Sequence, residues 1–308
     1  MILTREAKGT LTPIELDHGD TLRFILRNGC VWEMTLLATS AEVVERSFAS
    51  HSPDHIKEGN ISVYAFDCDL RINGREVHLR RCVGSQESFY EPYEQDGARL
   101  WFDAASAIFE EDGGFMDEKD WRGGLLCKPY RKARFAVQDA GLSICPEPLA
   151  LWYPTESGQI DIRDCYNGQD CWMGPYAGAH AHCGLDVNMP AGTLLYAPIS
   201  FDDQYYYNTV SAGFDNNRWR GIRRWPDGSE WWLQSHHLID LLVPERAALA
   251  RGSQYATSAG VAIGAYEHTH FVFQVLERGG SYFLDPWIIL WEAFRQKQRR
   301  ANLGTREH

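Results

Sequence analysis

Three short segments hold the residues whose types and spacing can do hydrolytic chemistry: His180-Ala-His182-Cys-Gly184-Leu-Asp186, Ser235-His236-His237-Leu238 and Glu267-His268-Thr269-His270. In the last, Phe271, Phe273 and Val275 alternate with Val272 and Gln274, which predicts a strand with one strongly apolar face. Period-two geometry then puts Thr269 on the core face and both His268 and His270 on the other. Two imidazoles roughly 7 Å apart on one strand face can reach one reaction centre. Taken alone, the pattern serves a pair of surface histidines equally well.

The first segment adds a carboxylate. On an ideal strand His182 and Asp186 would stand about 13 Å apart, too far to share an ion held at ~2 Å. Gly184 permits a bend that brings them together, and Pro190-Ala-Gly192 supplies a turn directly afterwards. A neutral imidazole and a carboxylate are both suitable zinc ligands. Without the other segments, the pair reads as a loop histidine and a turn-capping aspartate.

In combination the segments resemble the lysostaphin-like (LytM-type) zinc endopeptidases, marked by an HxxxD segment and a later HxH. Pro190-Ala-Gly192-Thr193 and Tyr196-Ala-Pro198 reproduce the family's turn and strand after the first motif. His237-Leu238 matches the intermediate His-Leu pair, preceded by Asp227-Gly228. The resemblance spans residues of about 180 to 276. It implies one zinc ion held by His182, Asp186 and His270, with His237 and His268 as unliganded catalytic histidines. Three protein ligands leave a position for water, whose pKa the ion lowers to about 7. One free histidine can take that water's proton, while the other bonds the oxyanion or protonates the leaving amine.

The implied activity is a zinc-dependent endopeptidase acting on peptidoglycan peptide bonds, in an extracytoplasmic setting. Departures from the family pattern lie where substrate would bind. Asp164–Gly174 replaces the usual Phe-Gly-x-Arg stretch, Ser200-Phe-Asp-Asp replaces a glycine, and Trp219–Trp232 is unusually aromatic. Two alternatives therefore stand beside the peptidase: a non-catalytic scaffold of the same fold, and a zinc hydrolase acting on another amide or polymer. His180 and His236 are extra neighbours of the motifs, read as solvated loop histidines or as groups that orient the ligands.

The elements that must position these residues read as mainly β. We expect two β-rich domains, 1–150 of unknown role and 151–308 carrying the zinc site. The second would be an antiparallel sheet flooring a groove, followed by a C-terminal helix. Strands flank the Asn28-Gly29 and Asn73-Gly74 turns, a strong hairpin signal. Ala104–Phe109 suggests a short helix and Glu110–Gly124 a loop. Asp285-Pro286 reads as an N-cap followed by proline at the first helical position. Arg295, Lys297, Arg299 and Arg300 then form a solvated basic face in the last turns.

With 42 acidic against 30 basic side chains, the net charge of −12 argues against a nucleic-acid partner. No apolar run is long enough for a membrane span. The first residues lack a basic stretch followed by an apolar one, so no signal peptide is expected. Of the eight cysteines, Cys165 and Cys171 are spaced for a short disulfide loop, although scattered thiols fit as well.

Overall fold

The computed structural model describes residues 1–47, 61–83, 91–107, 129–154, 175–176, 180–181, 184–208, 217–259 and 268–304. The protein is mainly β, with several sheets and, among the described residues, one helix near the C-terminal end. It divides into two compact units, the first built chiefly from Met1–Ile144 and the second from Gly184–Ser281 and the helix after Asp285. Among the described residues no helix is long and apolar enough to cross a membrane.

In the first unit, β1 (Ile2–Glu6), β3 (Thr21–Ile25), β4 (Val31–Ser47), β5 (Ile61–Ile72) and β6 (Arg75–Val83) form one sheet in that order. Its only parallel pair is β1 with β3. A second sheet runs β2 (Thr12–Leu16), β9 (Ala133–Asp139), β8 (Ala98–Ala105), β7 (Tyr93–Gln95). Both Asn-Gly turns lie between paired strands. Ile25 faces Val31 around the first, and Ile72 faces Arg75 around the second, where Asn73 and Gly74 both have positive φ as a type I′ turn requires. Trp32 and Trp101 are fully buried, so the aromatic residues here serve the core.

One local expectation is overturned. Ala104 and Ala105 close strand β8 instead of opening a helix. All eight residues of β8 are buried, and a short apolar run without alternation does not distinguish a buried strand from a helix. A buried ion network sits in this unit: Arg134 Nε donates to Asp103 Oδ2 at 2.7 Å, and both side chains are inaccessible to solvent.

After the short pair β10 (Pro175–Tyr176) and β11 (His180–Ala181), the chain forms β12 (Leu185–Asn188), β13 (Leu194–Tyr196), β14 (Asp203–Asn208), β15 (Asn217–Arg224), β16 (Glu230–Leu241), β17 (Gln254–Ser258), β18 (His268–Glu277) and β19 (Gly280–Leu284). The main sheet runs β12-β18-β16-β15-β14, antiparallel throughout, while β17 pairs with both β13 and β16. Alternation in β18 falls as expected, with Thr269, Phe271, Phe273 and Val275 on the core face. The opposite face is covered too, because His270, Val272 and Gln274 are also buried.

Helix α1 (Trp287–Gly304) starts as its sequence requires: Asp285 Oδ1 accepts the backbone N–H of Trp287. The basic face needs correction. The helix continues to Gly304, so Arg295 lies well before its last turn. Arg295 donates two bonds, of 2.7 and 2.8 Å, to the fully buried Glu292. A buried carboxylate requires such a partner, which withdraws this arginine from the solvated face.

Candidate metal centre

The candidate site grows from one cross-strand row. Asp186 on β12 lies opposite His270 on β18, and His270 lies opposite His236 on β16. Directly opposed residues of antiparallel strands occupy the same sheet face, with Cβ atoms about 5 Å apart. One row along, Asn188 lies opposite His268. Of the five residues singled out from the sequence, His237 and His270 are described in full. Asp186 and His268 are placed by their strand positions, and His182 lies outside the described residues, as do Glu110–Gly124 and the whole of Asp164–Gly174 with Cys165 and Cys171.

Strand β16 breaks its regular pairing beside the row. Ser235 lies opposite Trp219 and Leu238 opposite Asn217, so the step between them holds His236 and His237 against the single residue Arg218. This bulge is accompanied by a left-handed backbone at His237, φ 58°. In a regular strand two consecutive side chains point to opposite faces. Here the rings of His236 and His237 both come close to His270, at centroid distances of 4.7 and 6.4 Å, with 6.3 Å between the first two. His237 and His270 are buried, and His236 is half-buried.

Gly184 shapes the other side of the His270 ring. A Cβ added there would come within 2.5 and 2.6 Å of His270 Cε1 and Nε2, and 2.2 Å from the Phe271 carbonyl oxygen. The glycine is therefore required by close approach: the imidazole occupies the space a side chain would fill.

Behind the row, the core face holds the sheet rigid. The Tyr255 hydroxyl accepts from Trp152 Nε1 at 2.9 Å and shares a 2.6 Å bond with Ser235 Oγ. Burial pushes the Tyr255 phenol well above its ordinary range. The Tyr255 ring stacks on Trp219 at 4.0 Å, and Trp152 packs on Phe271 at 4.5 Å. Thr269 Oγ1 donates to Ser258 Oγ at 2.8 Å, fixing the residue between His268 and His270. On the site's own face, Arg220 lies over Trp232 at 4.3 Å and donates to the Tyr205 hydroxyl.

Among the described residues, no group of three or more His, Cys, Asp or Glu side chains is arranged to hold a metal ion. Nevertheless, the local chemistry suits a divalent ion: imidazoles from neighbouring strands, a carboxylate position in the same row, and a cradle at Gly184 for one ring. His236 is the participant that sequence reasoning left at the margin. Its signal would have been the consecutive His-His pair, which becomes meaningful only with a bulge in the strand.

These features define an antiparallel-sheet protein with a histidine-rich candidate metal centre. No protein-family model matches the chain, and no curated protein matches it. Among solved structures it is similar to the antimicrobial peptidase lysostaphin from Staphylococcus simulans, with 24% identity over 37% of this chain and 44% of that one, at a TM-score of 0.30. It thus spans less than half of lysostaphin's length. A zinc-containing peptidase from Vibrio cholerae is 13% identical over 89% of this chain and 77% of that one, at a TM-score of 0.28. Helicobacter pylori Csd3 is 11% identical over 94% and 83%, at a TM-score of 0.27.

Proposed function

We propose that this protein is a zinc-dependent endopeptidase whose substrate is a peptidoglycan peptide, with His182, Asp186 and His270 holding one zinc ion. The observation that carries the reading is the strand register that sets Asp186 opposite His270, with the His237 ring near by in the same cluster. Zinc, when bound, supplies Lewis acidity and a water with a pKa of about 7.

The remaining work falls to the chain's own groups. One of His237 and His268 takes the proton of the attacking water at a ring nitrogen. The other donates a hydrogen bond to the developing oxyanion or a proton to the leaving amine. Burial of His237 limits the solvent that would compete for that proton. The cysteines have no part in this scheme, because no covalent nucleophile is needed.

The deciding experiment is elemental analysis of the purified protein beside His182→Ala and His270→Ala variants. Near-stoichiometric zinc, lost in both variants, is the expected result. Hydrolysis of purified cell walls is then compared with hydrolysis of small peptides. Zinc bound without turnover of either would replace the peptidase with the scaffold reading, whereas turnover of small amides alone would assign another substrate.

A further inference from the structure

We propose that His236 is a further ligand of the metal centre, an inference that rests on the zinc reading above. Nothing in the family resemblance assigns it this role. His236 occupies the same cross-strand row as Asp186 and His270, three adjacent strands each contributing one position.

The ring distances discriminate among the histidines. A zinc–nitrogen bond of about 2.0–2.1 Å places the ligand's ring centroid about 3.2 Å from the ion. Two ligand rings separated by a tetrahedral angle then have centroids about 5.2 Å apart. His236 and His270, at 4.7 Å with a 39° tilt between ring planes, sit close to that value. Their separation corresponds to an angle at the metal of about 95°, within the range that four- and five-coordinate zinc adopts.

His237 behaves differently. Its ring lies 6.4 Å from His270 and 6.3 Å from His236. Sharing an ion across 6.4 Å would require two ligands on nearly opposite sides of the metal, about 180° apart, which a tetrahedral site does not offer. The bulge in β16 therefore separates two jobs on consecutive residues. It leaves His236 in register with His270 and takes His237 out of the ladder, with its ring farther from His270.

Added to the ligands proposed above, His236 would bring the imidazoles on the ion to three. The extra imidazole tightens metal retention, which gives readouts independent of turnover. X-ray absorption of the zinc-loaded wild-type protein should count three imidazoles. Competition with a chromophoric chelator should show His236→Ala binding zinc at least ten-fold more weakly than wild type.

Two imidazoles, together with unchanged zinc affinity in His236→Ala, would overturn the assignment while leaving the zinc site standing. A wild type that takes up no zinc overturns both readings. The imidazole count uses unaltered protein, so it remains decisive if the variant fails to fold.

Discussion

Replacing Gly184 with alanine tests the site at its tightest point. The new Cβ would lie 2.2 Å from the Phe271 carbonyl oxygen and 2.5–2.6 Å from two atoms of the His270 ring. Ordinary carbon contacts begin near 3.5 Å, so displacements of about 1 Å are required. The carbonyl cannot yield cheaply, because Phe271 is paired with Leu185 and packed against Trp152. Elsewhere, Gly→Ala restricts the unfolded chain and stabilises by about 0.4–1 kcal/mol. Overpacking opposes this with about 1–3 kcal/mol, which predicts a net loss of roughly 1–2 kcal/mol.

For a unit of this size, such a loss lowers the melting temperature by about 2–8 °C, measurable through tryptophan fluorescence. The ring should be displaced as well, weakening zinc binding about 10–100-fold in chelator competition, as loss of a ligand-orienting contact does. Gly192→Ala is the control. Gly192 has φ +82° and no atom within 4 Å of an added Cβ, so its cost is backbone strain alone. The control should destabilise by about 1 kcal/mol and leave zinc affinity intact. A Gly184→Ala protein as stable as wild type, with unchanged zinc affinity, would refute the close-approach argument.

Three further outcomes are expected. At His237, whose φ of 58° strains any residue with a Cβ, His237→Gly should be more stable than His237→Ala by about 1 kcal/mol in urea titrations, although both lose activity. An alanine variant equal to or better than glycine there would contradict the left-handed bulge. Tyr255→Phe removes the acceptor of the buried Trp152 Nε1 bond and should cost about 1–3 kcal/mol, read as a lower urea midpoint. His78 donates its strongest interaction to Asp69 at 2.8 Å, with Asp67 also near, and its pKa is raised above 6.5. The stabilisation from this pairing is present below pH 6.5 and is lost as pH rises through the folded-state value. NMR titration should find that elevation, and Asp69→Asn should reduce it.

What was legible in the sequence is what neighbouring residues decide among themselves. The Asn73-Gly74 turn needs two left-handed residues, Asp285-Pro286 starts a helix from its own side-chain chemistry, and Thr269 falls on the core face by simple alternation. Features decided by a distant partner were not legible. Arg295 looks like one member of a basic surface until Glu292 is found buried beside it. Ala98–Ala105 carries too little alternation to declare itself a strand, because both of its faces are covered. Gly184 was legible as important but for a different reason: its neighbour is an imidazole 86 residues further along the chain, on another strand.

The bulge in β16 shows why the candidate site in particular resists local reading. Alternation sends consecutive residues to opposite faces, so a His-His pair reads as one inward and one outward side chain. The offset between Trp219–Ser235 and Asn217–Leu238 pairing removes that rule at the two histidines. The offset is a property of two strands together, and neither strand's composition encodes it alone. His236 keeps its register with His270 on one side of β16, while His237 departs from the ladder on the other. A single local irregularity thus accounts for the convergence of three imidazoles and for the strained backbone among them. Activity should consequently be more sensitive to changes in the length of β16 at this point than to substitutions in its regular part. A one-residue deletion that removes His237 and restores alternation across β15 and β16 should abolish activity while leaving zinc bound, and retained activity in that folded variant would show that the bulge is dispensable.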